Sequence, residues 1–184
     1  MGTKLVPTQT FTKAGRAWVF GDDVLNDGGI ASLDMVRQFI YDPKILATEC
    51  MRALSPSFPE QARPDDIVFA GKNFGKGQMH VTGPLSLKGV GVGLVCESVT
   101  RGFFRLSVSA GLLMLPFVPG ITEKVLDGDP VDVNFRSGRI ENRRTGEIIH
   151  AQPMPDFVWE ILSFGGEREW LAAKYGSADA PAAK

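Results

Sequence analysis

IVFAGKNFGKGQMHVTGPLSLKGVGVGLVCESVTRGFFRLSVSAGLLML, residues 67–115, decides the fold class. IVFA (67–70) is a short continuous apolar run of buried-strand type. It runs into the glycine-bearing loop GKNFGKGQMHVTGP. A short helix through 85–88 follows, then a strand over 92–98 and a helix over 101–110 with Phe103, Leu106 and Ala110 on one face. Gly111 stops that helix and LLML (112–115) returns as a strand. Strand–helix–strand–helix–strand builds a parallel sheet through crossovers.

Outward from this core the pattern changes. Upstream, RAWVF (16–20) reads as a strand ending in a Gly-Asp-Asp turn, and 32–39 and 43–54 read as helices, the second with proline in its first turn. Downstream, residues 131–135, 138–142 and 147–151 alternate in polarity between Ser-Gly and Thr-Gly turns, as antiparallel strands do. DFVWEILSFGG (156–166) is a closing helix ended by Gly165-Gly166. Residues 1–14 read as a flexible arm, 15–176 as one α/β domain and 177–184 as a disordered tail.

Composition narrows the function. The 184 residues suit one medium domain, and 43% hydrophobic content excludes a disordered chain. Twenty basic residues against 21 acidic ones give a net charge of −1, so no basic field draws the chain to nucleic acid or an anionic membrane. No apolar run approaches the roughly 20 residues of a membrane helix, and the polar start lacks a secretory signal. Two cysteines fit a reducing, cytoplasmic compartment. With only two histidines, far apart in sequence, they make no metal site, so metal chemistry must come from another chain.

Ligands of an open parallel sheet collect at the carboxyl ends of its strands, which is where residues 73–82 fall. Gly75 and Gly77 let the backbone turn tightly and present amides to an anion. Lys76 adds a point charge, and Asn73, Gln78, His80 and Thr82 add directed hydrogen bonds. A small carboxylate is the guest such a loop suits. The competing reading is a plain strand–helix turn.

GRAWVFGDDVLND (15–27), DIVFAGKNFGKG (66–77), PLSLKGVGVGLVCESVTRGFFR (84–105) and GLLMLP (111–116) resemble the small subunit of 3-isopropylmalate dehydratase, the swivelling domain of the aconitase superfamily. Residues 127–147 and 154–171 follow the same layout, so the resemblance runs in order over nearly the whole chain. It implies a three-layer β/β/α swivelling domain with a parallel core sheet and a C-terminal antiparallel section. It also implies a large-subunit partner that holds a [4Fe–4S] cluster, no cofactor on this chain, and reversible dehydration of a hydroxy dicarboxylate. The open iron acts there as a Lewis acid on the departing hydroxyl.

The loop departs from the family. Where the family reads Asn-Phe-Gly, a small residue, Gly, then Ser-Ser-Arg-Glu-His, this chain has Lys76 for the small residue. Gln78 and Met79 stand for the serines, one of which serves as the family's base. His80 stands for the arginine that clamps a substrate carboxylate, and Val81-Thr82 for Glu-His. Neither an amide nor a thioether abstracts a proton, so the family's mechanism does not transfer unchanged. Asp22, Asp23 and Asp27 match the family's acidic motif, with Leu25-Asn26 in place of Asp-Thr; Arg101 and Arg105 match family arginines, with Leu106 in place of asparagine. GGIASLDMVRQF (28–39) lacks the leucine-pathway signature, so the isopropyl substrate itself is not implied.

Two functions are compatible with these residues. In one, the chain serves an altered hydro-lyase: His80 transfers the proton, histidine being the side chain that exchanges protons near neutral pH, while Lys76 binds carboxylate or, if desolvated, acts as base. Asn73, Gly75, Gly77, Gln78, Thr82, Asp22, Asp23 and Arg101 then line the substrate. In the other, the subunit is a non-catalytic binding or scaffold chain, with His80 structural, Lys76 solvated and Asp22-Asp23 capping a turn.

Overall fold

The architecture turns on one strand that changes partners half-way along its length. In the computed structural model, which describes residues 10–176, β1 (Thr12–Phe20) pairs antiparallel with β5 (Pro130–Asn134) through Thr12 to Arg16, then parallel with β2 (Ile67–Ala70) through Ala17 to Phe20. Beyond β2 lie β3 (Gly93–Cys96) and β4 (Met114–Leu115), both parallel; beyond β5 lie β6 (Arg139–Asn142) and β7 (Glu147–His150), both antiparallel. The seven strands run β4-β3-β2-β1-β5-β6-β7 in one curled sheet. This is the fold class expected from the sequence: a parallel core, an antiparallel C-terminal section, and helices on the outside.

Burial explains the split. All four residues of β2 and of β3 are buried, as in strands covered on both faces, whereas β5 and β6 alternate with Val131, Val133 and Ile140 inward. The crossover helices α4 (Thr82–Val90) and α5 (Arg101–Ala110) cover the parallel part and end at Gly91 and Gly111, both left-handed (φ 88° and 81°). The side chains α5 buries are Phe103, Ser107 and Ala110 at i, i+4 and i+7; Leu106, expected on that face, turns toward the surface.

Two buried carboxylates hold the strand exchange. Asp66, only 6% exposed, accepts from the Arg16 amide (2.9 Å), the Trp18 indole (3.0 Å) and the Arg63 amide (2.9 Å). Its own amide and carbonyl continue the turn into β2 and β3, through Arg63 O and Gly93 N. Arg16 is the residue at which β1 leaves β5, and the side chain takes over its amide where the ladder breaks. On the other side Asp129 accepts from the Arg144 guanidinium (2.5 and 3.0 Å), Asn142 Nδ2 (2.7 Å) and the Leu126 amide (2.9 Å), while its backbone carbonyl receives the Ala17 amide (2.8 Å).

The remaining helices are α1 (Leu33–Arg37), α2 (Pro43–Ala47), α3 (Phe58–Gln61), α6 (Ile121–Lys124), α7 (Asp156–Ser163) and α8 (Glu167–Tyr175). The helix expected over 43–54 ends at Ala47, because Met51 adopts φ 56° and gives its amide to Ile30 O (2.9 Å). The helix expected over 32–39 stops before Phe39, which is also left-handed (φ 54°). Gly165-Gly166 closes α7 as expected, but the chain then starts α8, which the sequence reading left out. β1 begins at Thr12, three residues ahead of the Gly15 boundary, and the proposed tail at 177–184 lies outside the described residues, as do residues 1–9 of the arm. Among the described residues no helix is long and apolar enough to cross a membrane. Cys50 and Cys96 are buried and unpaired; burial pushes both thiols up, Cys96 to about 12.

Two outcomes follow for stability. Asp66→Ala strands the buried Trp18 indole and the Arg16 amide and costs about 2–4 kcal/mol in a urea titration. The Arg144 guanidinium, with help from the Leu126 amide and Asn142, holds the Asp129 carboxyl at about 2 against an ordinary 3.8. The stability from this depressed group is complete above about pH 4 and is lost as pH falls through 2. Asp129→Asn is therefore less stable at pH 7, with a flatter decline in urea midpoint between pH 4 and 2 than wild type.

Candidate functional site

Three loops meet at the carboxyl ends of β1, β2 and β3, and backbone bonds join them edge to edge. The loop after β2 is the middle one. On one side the amides of Gly75 and Lys76 both reach Val24 O (2.9 and 3.0 Å), and Asn26 N reaches Lys76 O (2.8 Å). On the other, Phe74 N bonds Ser98 O (3.0 Å), Thr100 N bonds Phe74 O (3.0 Å), and Thr100 Oγ1 bonds Gly75 O (2.8 Å). Gly75 has φ 74°, and a Cβ there would lie 2.2 Å from Cγ of buried Phe103. Glycine is obligatory at this point for both conformation and space.

The acidic motif faces this loop. Asp22 Oδ1 accepts from the Lys72 amide (2.7 Å), closing the turn. Asp23 Oδ1 accepts from Asn73 Nδ2 (3.0 Å) and pairs with Lys76 Nζ (3.3 Å); the Asn73 bond, then the Lys76 ammonium, hold the Asp23 carboxyl below its ordinary value. Both side chains of the Lys76–Asp23 pair are half-exposed, so the ammonium is neither desolvated nor free. Asn73 also adopts φ 57°, a conformation asparagine tolerates.

His80 and Asp27 form the tightest contact. His80 Nδ1 stands 2.5 Å from Asp27 Oδ2; the imidazole is 48% exposed, the carboxylate 8%. Asn26, fully buried between them, directs Nδ2 at Asp27 Oδ1 (2.9 Å), Gln78 O (2.9 Å) and His80 O (3.0 Å). Turning the amide over would set Oδ1 against three acceptors, which fixes its orientation. Oδ1 faces Gly83, where a Cβ would come within 2.0 Å of it.

The other expected residues lie around this centre. The Gly75 amide is spent on Val24, but the amides of Gly77, Gln78 and Met79 have no partner among the described residues. The Gln78 side chain is exposed; Thr82, at the start of α4, is buried with no partner for Oγ1. Arg101 opens α5, exposed and without a polar partner among the described residues, and Arg105 repeats this one turn later. Met79 rests on Gly102, whose Cβ would lie 2.0 Å from Sδ. It forms one end of an apolar groove of about 670 Å³ between α5 and α7, lined also by Arg105, Leu106 and Phe157. Sequence reasoning passed over Asn26 and the pairing of Asp27 with His80; the signal was present in the departure from Asp-Thr to Leu25-Asn26 beside the change at His80.

The comparisons place this geometry. No protein-family model matches the chain. It is 40% identical over 153 residues to the 3-isopropylmalate dehydratase small subunit 1 of Methanopyrus kandleri, covering 83% of this chain and 88% of that one. The chain belongs to the 3-isopropylmalate dehydratase small-subunit family. The isopropylmalate/citramalate isomerase small subunit of Methanocaldococcus jannaschii is 39% identical over 162 residues, 87% of this chain and 94% of that one. The crystal structure of 3-isopropylmalate dehydratase from that organism aligns with a TM-score of 0.81 at 28% identity, covering 89% of this chain and 95% of it. Among the described residues no three His, Cys, Asp or Glu side chains come together to hold a metal ion.

Gly75→Ala tests how rigidly the loop is built. The substitution sets a Cβ against Phe103 in a left-handed conformation, and costs about 2–4 kcal/mol by urea denaturation.

Proposed function

We propose that this chain is the small subunit of an aconitase-type hydro-lyase that adds and removes water on a hydroxy dicarboxylic acid, inactive without its large subunit. The relatives' names supply the reaction class, since isopropylmalate and citramalate are both hydroxy dicarboxylates. The large subunit carries the [4Fe–4S] cluster, which supplies Lewis acidity toward the departing hydroxyl. A cytoplasmic setting suits two buried, unpaired thiols.

This chain's part is proton transfer and carboxylate recognition. The observation that carries the reading is His80: an exposed imidazole beside a nearly buried carboxylate, on the loop that follows β2. His80 takes the carbon-bound proton in place of the absent serine. Arg101 offers a guanidinium with no competing partner among the described residues, and Lys76 swings from Asp23 to a substrate carboxylate. The free amides of Gly77 and Gln78 complete an anion-binding edge, with Asn73, Asp22 and Asp23 setting the shape of the loops beneath. Thr82 and Gly75 frame that edge at its two ends. The altered loop gives this enzyme a substrate or proton route different from that of its relatives.

Co-expression with a large subunit of the same family yields a complex that interconverts members of a panel of hydroxy diacids and exchanges the carbon-bound proton in deuterated water. His80→Ala lowers kcat by about 10²–10⁴-fold while the complex still forms. Complex formation without exchange in wild type would instead identify a non-catalytic scaffold.

A further inference from the structure

The contact between His80 and Asp27 says more than that a histidine is available. An imidazole has two nitrogens, and only the one without hydrogen accepts a proton. Its partner on the other nitrogen decides which that is. We propose that Asp27 is a positioning residue that holds His80 as the Nδ1–H tautomer and so makes Nε2 the atom that receives the substrate proton; the catalytic half of this inference rests on the reading of His80 given above.

The geometry is one-sided. Nδ1 lies 2.5 Å from Asp27 Oδ2, within hydrogen-bond reach of a carboxylate that is only 8% exposed. Asp27 cannot turn away, because Oδ1 is held by Asn26 Nδ2 at 2.9 Å. The same amide binds the carbonyls of Gln78 and His80, so the backbone that bears the ring and the carboxylate that orients it hang from one buried side chain. Asp27 is itself fixed at the mouth of a tight turn, with Gly28 N on Ala31 O (2.7 Å) and Ala31 N on Asn26 O (3.0 Å). Of the other charged groups of these loops, Asp23 is committed to Lys76 and Asp22 to the Lys72 amide, while Arg101, at the start of α5, has no polar partner among the described residues. Asp27 is the one charged group paired with His80 among the described residues.

The step balances when His80 takes the proton and the Lewis acid that the proposed large subunit would supply takes the hydroxide. The substrate C–H bond breaks as the Nε2–H bond forms, and the electron pair left on carbon becomes the second bond of the alkene as hydroxide departs. His80 is then an imidazolium whose charge lies against the Asp27 carboxylate. Return of hydroxide to one alkene carbon and of the Nε2 proton to the other reverses the step.

Nitrogen–proton correlation spectra of the full-length chain, labelled with ¹⁵N in its two histidines and assigned with His80→Gln, read the tautomer directly. The neutral form of His80 is expected as Nδ1–H; a dominant Nε2–H form overturns the inference, and needs no variant to be seen. Asp27→Asn is expected to remove the preference and lower kcat of the complex about 10²–10⁴-fold with KM little changed, and Asp27→Glu to restore part of both. A tautomer indifferent to Asp27, in a complex whose turnover still depends on His80, overturns this inference alone. An Asp27-dependent tautomer in a complex whose turnover ignores His80 overturns the proposed chemistry, and this inference with it.

Discussion

A strand that changes partners half-way needs something to satisfy the amides at the change. Here that is the work of two aspartates, one through its carboxylate and one through its backbone carbonyl. Asp66 receives Arg16 N where β1 quits the antiparallel section, and Asp129 grips the antiparallel side through Arg144 and Asn142 while its backbone reaches Ala17. The order of strands, the direction of β1 into its Gly-Asp-Asp turn, and thereby the placement of Asp22, Asp23 and Asp27 follow from this exchange. Trp18 reinforces it: the indole is anchored on Asp66, packs edge-on against Phe58 at 4.9 Å, and is covered by the Arg16 guanidinium at 4.1 Å.

The sequence disclosed the elements whose burial leaves a pattern. IVFA and the following strand are uniformly apolar because both faces are covered, and residues 131–142 alternate because one face is not. The α5 boundaries were legible from Thr100 to Gly111 because a glycine in the left-handed region punctuates the helix. Short helices gave no such signal. α3 and α6 are each four residues long, below the length at which periodicity can be recognised, and α2 stops for a reason outside itself, the Ile30 carbonyl that claims the Met51 amide. The exchange of partners within β1 was invisible, since both halves are simply extended chain.

The candidate site was legible as a loop at strand ends more than as a set of side-chain pairings. Glycine spacing and strand ends placed the loop, but pairings across loops depend on which side chains the fold brings together. Lys76 with Asp23 and His80 with Asp27 each join residues more than fifty positions apart. Asn26 had no sequence pattern of its own, yet it ties the ring-bearing loop to the acidic one.

The stitching of the middle loop has a consequence for how such a site can be altered. Its entrance is welded to both neighbouring loops at Phe74, Gly75 and Lys76, and its exit is the first turn of a helix packed beneath Asn26 at Gly83. What lies between behaves as a cassette: side chains there can be exchanged wholesale without disturbing the frame that presents them. One neighbour has to move in step, for Met79 occupies the volume a larger residue at position 102 would need. Changing what this loop presents is thus a matter of one short segment and a single glycine on the facing helix.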